Sequence, residues 1–550
     1  MISETGIMIF ASAYNLNAVV LGSLIAVYAL LIGYLGLRGY RKTRDKKDYL
    51  LAGRSVHPFV MAMSYGAAFI STSALVGFGG IAGQFGMGLM WLVFMNIAFG
   101  IVAAFIWFGH RTRSMGAVLD AKTFPEFIGK RFRSNGLKLF IAVVIFAFIP
   151  LYSSVVLISG ARFLEQVMGL PYFWALGIFG AIVAVYVVFG GLKGVMYVDA
   201  LMGTIMIFGM LLLLITCYVR LGGVIPAHEK LTAMSALVAE KLPTEYSLGH
   251  RGWTVMPEFN SVWWWTLVSS LMLGVGIGAL AQPQLAVRFM TVKSGRELNR
   301  AVMVGSIFIL CTAGAAYMTG ALSNVFFYHP EIGLGGKVPQ LAIEAAGGNP
   351  DIIIPMFIRE ALPPVVLYAF SLTMLSAAMS TLSSLFHVAG TSLGHDIGGF
   401  FRQIRKNGFS VSRWGVCVGI ALSVFFAMIL PTGVVARGTA IFFGICAAAF
   451  LPAYAAALYW KRATRAGVWA GVVTGTLVSV FGLLFLHEKE SALLGVCRMI
   501  SGRDVLIETH PWPVVDPFIY ALPLSIAALI VVSLLTKPIK SEQIDRIFKK

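Results

Sequence analysis

Residues 63–85 read MSYGAAFISTSALVGFGGIAGQF, an uncharged run that is long enough to cross a bilayer as a helix. Gly77, Gly79 and Gly80 fall near its middle, where glycine weakens a helix and lets other backbones approach closely. Small hydroxyl residues precede these glycines at 71–73. The stretch therefore predicts a membrane helix that is interrupted at mid-depth.

A second stretch, SLMLGVGIGALAQPQ at 270–284, has the same character, because three glycines and then Pro283 interrupt an apolar run. Transporters built from inverted repeats carry a discontinuous helix at the corresponding place in each half, and the solute binds between the two. Glycine also allows continuous membrane helices to pack closely, and this alternative explains either stretch alone. It explains the matched pair less well, so we predict two broken helices with a solute site between them.

The composition of the whole chain is that of a membrane protein. Of its 550 residues, 58% are hydrophobic and 12% are charged, and the mean hydropathy is +0.84. Soluble domains average about 45–50% apolar and about 25% charged residues. We predict an all-α polytopic membrane protein with about 13 transmembrane helices, at about 17–38, 59–83, 86–108, 138–161, 171–189, 197–218, 262–286, 302–326, 364–394, 412–430, 438–460, 467–486 and 517–536.

The charges alternate between the two sets of loops that thirteen spans create. One set and the C-terminal tail hold 31 of the 42 Lys and Arg residues against 8 acids, while the other set holds 11 and 15. The positive-inside rule places the basic set in the cytoplasm, so the N-terminus is predicted outside and the C-terminus inside. This bias accounts for most of the net charge of +18, and no nucleic-acid partner is expected. The N-terminal residues lack a basic region followed by a cleavage pattern, which predicts no secretory signal peptide.

The two broken spans are the second and the seventh, five apart, as two five-helix repeats require. The predicted organisation is an N-terminal helix and basic loop, a first repeat, an outer loop, a second repeat, and two C-terminal helices with a basic tail, at 1–58, 59–218, 219–261, 262–460 and 461–550. The sequence has no GxxxxGK[ST] phosphate loop, which argues against an ATP-driven pump. Its five cysteines are scattered and predict neither a metal site nor a disulfide framework.

The ninth span contains LSAAMSTLSSLF at 375–386, in which five of twelve residues carry hydroxyls. Ala377, Ser380, Thr381 and Ser384 share one helical face, with Ser383 beside it. A single hydroxyl in hydrocarbon often bonds back to a carbonyl one turn earlier. A whole face of hydroxyls, opposite carbonyls freed by the break at 67–72, offers the neutral oxygens that a sodium ion binds.

Four blocks of the sequence resemble the sodium:solute symporter family, in its pantothenate-type and carboxylate-type branch. They are AAFISTSALVGFGG, YVVFGGLKGVMYVDALMG, QPQLAVRFMTVKSGRE and LSAAMSTLSSLF, and the likeness extends over roughly residues 40–460. The resemblance implies a LeuT-like core of two inverted five-helix repeats that alternates between outward and inward access. It also implies a main sodium site formed by the carbonyls of Ala67, Ile70 and Ala377 and the hydroxyls of Ser380 and Thr381.

Some members of the family bind a second sodium ion, for which Asp199, Ser383 and Ser384 match the pattern, with Ser380 shared between the sites. Asp199 is the one acid that we place inside a span, and intramembrane acids are functional candidates. An ion pair with Lys193 is the alternative explanation of Asp199. The sequence also departs from the family where Met202 replaces a polar residue.

The solute is less sharply indicated. Phe69, Ala74 and Gly274 stand where sugar carriers of the family have polar contacts, which argues against a sugar. Val275 and Ala279 replace aromatic residues of proline carriers, which weakens that interpretation, so a small organic carboxylate is favoured. The candidate solute contacts lie near the two breaks, and they are Phe69, Ser71, Ser73 and Gln282.

The predicted function is sodium-coupled symport of a small organic solute by alternating access, in the cell membrane. Alternatives are a proline-like or sugar symporter within this class, and a membrane sensor or an uncoupled ion channel outside it. Hydroxyls and carbonyls favour sodium over a proton, because they do not titrate. No enzyme activity, no cofactor besides the coupling Na⁺, and no obligatory protein partner is expected; the lipid bilayer, Na⁺ and the solute are the expected partners.

Overall fold

The structure is a computed structural model that describes residues 18–42, 50–52, 56–329, 339–400, 408–539, 545 and 548. Helices make up most of this part of the chain, and an isolated parallel bridge joins Val56 to Val292. The helices of the first half are α1 Ala18–Lys42, α2 Pro58–Phe69, α3 at 73–85, α4 at 90–118, α5 Phe124–Arg131, α6 Asn135–Met168 and α7 Tyr172–Arg220.

Residues 221–261 contain the short helices Val224–Ala233, Leu237–Lys241 and Pro243–Ser247. The helices of the second half are α8 Val262–Ala281, α9 Pro283–Phe289, α10 Gly295–Tyr328, α11 Ile353–Ala361, α12 Pro364–Phe400, α13 Gly408–Ile429, α14 Val435–Tyr459, α15 Arg465–Leu486 and α16 Phe518–Leu535. Glu488–Leu494 and Val496–Ser501 are short helices between α15 and α16.

Helices occur at all of the predicted spans, but they do not divide as the sequence suggested. Among the described residues, eleven helical segments are long and apolar enough to cross a membrane. The second predicted span breaks after α2, and its remainder continues into the third as one helical run, Ser73–Val118. Helix α7 contains both the fifth and the sixth predicted span. The number thirteen and the orientation of the termini therefore stay predictions.

Helix α12 lies at the centre of the bundle, where it packs against α2, α6, α7 and α13. Every residue from Thr373 to Thr391 is buried. Many of these residues are Ala, Ser, Thr or Gly, and small side chains let neighbouring backbones approach closely in a membrane. A helix that is surrounded on all sides can present polar groups to several partners at once.

The C-terminal end of α12 is fixed to neighbouring helices through one buried carboxylate, that of Asp396. The Asp396 carboxylate accepts hydrogen bonds from the Thr123 hydroxyl at 2.9 Å and from Nζ of Lys138 at 3.1 Å. Thr123 precedes α5 and Lys138 belongs to α6. The end of α12 on this predicted cytoplasmic side is thereby anchored to both helices.

Glycine contacts fix helix α3 against its neighbours. A Cβ atom added to Gly320 of α10 would lie 1.9 Å from the carbonyl oxygen of Gly79. A Cβ added to Gly80 would lie 1.9 Å from the carbonyl oxygen of Pro350. Because these are backbone atoms, neither contact can relax by rotation of a side chain.

We therefore expect Gly320→Ala to separate α3 from α10 and to cost about 1–3 kcal/mol of stability. The measurement is the thermal unfolding of purified protein in detergent. Gly177→Ala on α7 is the matched control, because its Cβ meets no atom within 4 Å and alanine favours a helix. Equal melting temperatures of the two variants would contradict the close contact.

A buried acid attaches the Glu488–Leu494 segment to α14. Glu490 forms ion pairs with His487 and with Arg437 of α14. Burial opposes the ionisation of Glu490, but the hydrogen bond and charge of His487, together with the charge of Arg437, lower its pKa to about 2. The ionised carboxylate therefore stabilises the fold above its ordinary pKa near 4.5, and this contribution is lost as the pH falls towards 2.

Between pH 6 and pH 3 we expect the wild-type protein to lose about 2 kcal/mol through this group. Glu490→Gln has no carboxylate to protonate, so its melting temperature is expected to fall less steeply over the same interval. Glu488→Gln, an exposed change on the same short helix, should keep the wild-type slope. The prediction fails if all three proteins have parallel pH profiles.

Candidate sodium and solute sites

The first break lies between α2 and α3, within the predicted stretch 67–72. Gly77, Gly79 and Gly80, which the sequence suggested as the interruption, lie inside α3 and serve close helix packing instead. Ile70 leaves the helix with φ −90° and ψ 104°. The amide of Ala74 bonds to the carbonyl of Ser71 at 3.0 Å, instead of to Ile70 as it would in a continuous helix. Carbonyls at the end of α2 are therefore available to partners from other helices.

Hydroxyl groups of α12 lie against these carbonyls. Oγ of Ser380 donates to the carbonyl oxygen of Ala67 at 2.7 Å and lies 3.2 Å from the carbonyl oxygen of Ala377. Oγ1 of Thr381 lies 3.3 Å from the carbonyl oxygens of both Ala67 and Ala68. Ala67, Ala377, Ser380 and Thr381 are all fully buried.

Four of the five residues predicted for the sodium site thus come together, and Ile70 stands at the adjacent break. Ala68 lies in the predicted break at 67–72 but was not among the five named ligands, and its carbonyl becomes available because the helix ends one residue later. All of these oxygens are neutral. In the described part of the chain, no three His, Cys, Asp or Glu residues form a group that could hold a metal ion. The neutral carbonyl and hydroxyl oxygens between α2 and α12 are ligands that suit a monovalent cation.

Asp199 lies beside this cluster, fully buried, and its partner is Arg288 of α9. Nη2 of Arg288 is 2.9 Å from Oδ2 of Asp199. Ser64 also donates to Oδ2 at 3.0 Å, and Ser383 lies 3.4 Å from Oδ1. Asp199 thus pairs with Arg288; the side chain of Lys193, which the alternative explanation of Asp199 invoked, lies outside the described residues.

The guanidinium of Arg288 is itself fully buried and joins several helices. Its Nη2 donates to Oγ of Ser384 at 2.6 Å and its Nε donates to Oγ of Ser64 at 3.1 Å. Nη1 donates to the carbonyl of Gln284 at 2.7 Å.

The structure brings together Asp199, Ser383 and Ser384, as predicted, but the cation among them is the guanidinium of Arg288. The sequence missed Arg288, because nothing local in QPQLAVRFM reveals an acid 89 positions away.

The candidate solute contacts divide between the two breaks. At the first break, the hydroxyls of Ser71 and Ser73 lie 2.5 Å apart. Thr439 of α14 donates to Ser73 at 3.1 Å, and the buried hydroxyl of Tyr152 lies near the same two serines. Sequence reasoning missed Thr439 and Tyr152, which belong to other helices. The result is a buried group of four hydroxyls beside the sodium candidates.

The second break lies at Gln282, whose backbone is extended at φ −68° and ψ 122° between α8 and α9. The two breaks meet around α4 and α14. A Cβ on Gly100 of α4 would contact both the Phe69 ring and Ala279. Phe69 also stacks on Phe443 of α14, with ring centroids 6.1 Å apart. The predicted arrangement of two discontinuous helices side by side is present.

The family model of the sodium:solute symporter family matches residues 49–475. The chain belongs to this family. Among characterised proteins, the chain is 28% identical over 484 residues to the osmoregulated proline transporter OpuE of Bacillus subtilis. The aligned residues cover 87% of this chain and 91% of the relative. The chain is 27% identical over 494 residues to sodium/proline symporter 2 of Staphylococcus saprophyticus, with coverage of 87% and 89%.

A solved structure of a Na⁺-coupled sialic acid symporter in a substrate-bound, outward-open state has the same fold. The TM-score is 0.71 at 17% identity, covering 94% of this chain and 98% of the other. The chain therefore has the LeuT-like inverted-repeat fold. The family match and the eleven described helices that are long and apolar enough to cross a bilayer make it an integral protein of the cell membrane. Its family couples the transport of small organic solutes to Na⁺ and consists of transporters rather than enzymes.

The buried ion pair generates a prediction about stability. Arg288→Met leaves Asp199 without its cationic partner, and breaking a buried pair from one side costs about 3–5 kcal/mol. Adding Asp199→Asn to this variant removes the stranded charge and is expected to restore part of the loss. Both effects are read from thermal unfolding in detergent.

Arg498→Met is the control, because Arg498 forms an exposed pair with Asp504 at 3.4 Å that is worth at most about 1 kcal/mol. If the double variant were no more stable than Arg288→Met alone, the charge pairing would not be the reason for the loss.

Proposed function

We propose that this symporter binds its coupling sodium ion where α2 ends against α12, between Ala67, Ile70, Ala377, Ser380 and Thr381. The observation that carries the proposal is the 2.7 Å contact of the Ser380 hydroxyl with the Ala67 carbonyl across two helices. A sodium ion at this site replaces the hydrogen bonds between these hydroxyls and carbonyls with contacts between the ion and the same oxygens. No carboxylate is needed, and ion release stays possible because the ligands are neutral.

A second sodium ion at Asp199, Ser383 and Ser384 is a weaker proposal. Arg288 already neutralises Asp199 at 2.9 Å and occupies the Ser384 hydroxyl. Another cation would have to share the same carboxylate, so this set favours an ion only in a conformation in which Arg288 moves away. The main site therefore accounts for the coupling ion.

For the solute, we propose a small amino acid that contacts Phe69, Ser71, Ser73 and Gln282, with proline as the first candidate to test. Two relatives that match nearly the full length of the chain are described as proline carriers. The sequence favoured a small organic carboxylate, with a proline-like solute as an alternative, and these relatives support that alternative. The hydroxyls at the first break can donate to the carboxylate of proline, and the Phe69 and Phe443 rings offer an apolar surface.

Coupling follows from the position of the ion between the two helices. Sodium joins α2 to α12 and so favours the conformation in which the end of α2, and with it Ser71 and Ser73, is fixed. A ligand shifts such an equilibrium only by its different affinity for the two states. Sodium therefore raises the affinity for a solute that it does not have to touch, and the solute raises the affinity for sodium equally.

The test removes the two hydroxyls with Ser380→Ala and Thr381→Val in one protein. We expect the sodium concentration for half-maximal uptake of radiolabelled proline into proteoliposomes to rise by about a hundredfold or more, because two polar ligands are lost and each is worth about 1.5–3 kcal/mol. Ser371→Ala is the control, since that α12 hydroxyl bonds only within its own helix, to Leu367 at 2.8 Å. An unchanged sodium dependence would remove the site assignment.

A further inference from the structure

Gln282 and Gln284 flank Pro283 at the second break, and their side chains are among the most deeply buried polar groups of the chain. Each is 1% exposed. Nε2 of Gln284 donates to Oε1 of Gln282. A primary amide has two N–H donors and one carbonyl acceptor, so this contact leaves part of each amide available.

The two groups that remain without a partner are one hydrogen-bond donor and one acceptor. In the described part of the chain, Nε2 of Gln282 and Oε1 of Gln284 are buried without a hydrogen-bond partner. Leaving a buried polar group unpaired costs about 1–3 kcal/mol. Rotating both amides by 180° exchanges their roles and again leaves one donor and one acceptor. The pair therefore presents a donor next to an acceptor in either orientation.

The pair also lies next to the first break. Residues Gly278 and Ala279, one helical turn before Gln282, contact Phe443 and Gly100 respectively, and the Phe69 ring contacts both of these partners. The amide pair therefore lies one helical turn from the place where the two breaks adjoin, which is where the solute is proposed to bind. No net charge is added there by Arg288, which donates to the Gln284 backbone but is neutralised by Asp199.

We propose that the Gln282–Gln284 pair recognises the zwitterionic head group of an amino acid. The carboxylate accepts a hydrogen bond from Nε2 of Gln282, and the amino or imino nitrogen donates one to Oε1 of Gln284. This proposal rests on the proposed sodium-coupled transport of a small amino acid and assigns the residues that bind its head group. Gln284 was not among the residues that the sequence indicated.

Solutes that carry only half of this head group satisfy only half of the pair. A carboxylate without an amine leaves Oε1 of Gln284 unpaired, and an amine without a carboxylate leaves Nε2 of Gln282 unpaired. The neutral pair also offers no countercharge to either of these ions, whereas a zwitterion brings both charges. Discrimination against the incomplete ligands is therefore built into the site.

The experiment uses matched triplets of an amino acid, the acid that lacks its amine and the amine that lacks its carboxylate. The first triplet is proline, cyclopentanecarboxylate and pyrrolidine, and the second is alanine, propionate and ethylamine. Sodium-dependent thermal stabilisation of the purified full-length protein measures binding, with potassium as the ionic control. We expect an amino acid to bind at least about tenfold more tightly than either partner in its triplet.

Two variants connect this preference to the amides. Gln284→Met removes the acceptor and should abolish the preference for proline over cyclopentanecarboxylate, while Gln284→Glu keeps an acceptor and should retain it. Gln282→Met should abolish the preference for proline over pyrrolidine. Gln166→Met, at the far end of α6 where the amide contacts Arg359 at 3.3 Å, should leave both preferences unchanged.

The outcomes separate the two proposals. Equal sodium-dependent binding of cyclopentanecarboxylate and proline would overturn recognition by the amide pair and leave sodium coupling intact. Binding of amino acids with the expected preference in potassium as well as in sodium would support the pair and count against the sodium site. If no amino acid in the panel binds in sodium, the zwitterion proposal is wrong. These rankings come from the wild-type protein, so they stand even if a variant fails to fold.

Discussion

A backbone carbonyl that leaves a helix inside a membrane needs a partner from elsewhere in the protein, because hydrocarbon offers none. The break after Phe69 creates several such carbonyls, and the hydroxyls of Ser380 and Thr381 meet them. The contact requires α12 to approach α2 closely, which its small residues allow. The central position of α12, its burial on all sides and the location of the sodium candidates all depend on this need.

The charges in the core obey the same constraint. Arg288 and Asp199 are both fully buried, and each costs several kcal/mol to remove from water. They are accommodated because every polar edge described for the guanidinium reaches an oxygen, on α2, α7, α9 or α12. Four helices thus share one ion pair. Since α2 and α9 are the parts that adjoin the two breaks, the pair ties the broken segments of both repeats to the central helix.

Function follows from the contrast between these two neighbouring groups. The charged group is satisfied by the protein, whereas the group at Ala67 and Ser380 consists of neutral oxygens that bond only to one another. At the sodium site proposed here, an ion therefore enters and leaves the neutral group without separating a buried ion pair. The amide pair at the second break has the same property towards the proposed solute, because it carries complementary dipoles and no charge.

The helices, the stretch that contains the first break and the hydroxyl face of α12 could be predicted from the amino-acid sequence, because each is encoded in consecutive residues: apolar runs, small residues beside a glycine cluster, and a helical repeat of Ser and Thr. The sequence could not determine which residues complete the sites. Arg288 reaches Asp199 across 89 positions, Thr439 reaches Ser73 across 366, and the orphaned atoms of Gln282 and Gln284 are evident only once their surroundings are known. Likewise, only the folded chain decided that the second and third predicted spans form one helical run. Long-range pairing arises from the packing of whole helices, so it belongs to the tertiary structure and leaves no local signal in the chain.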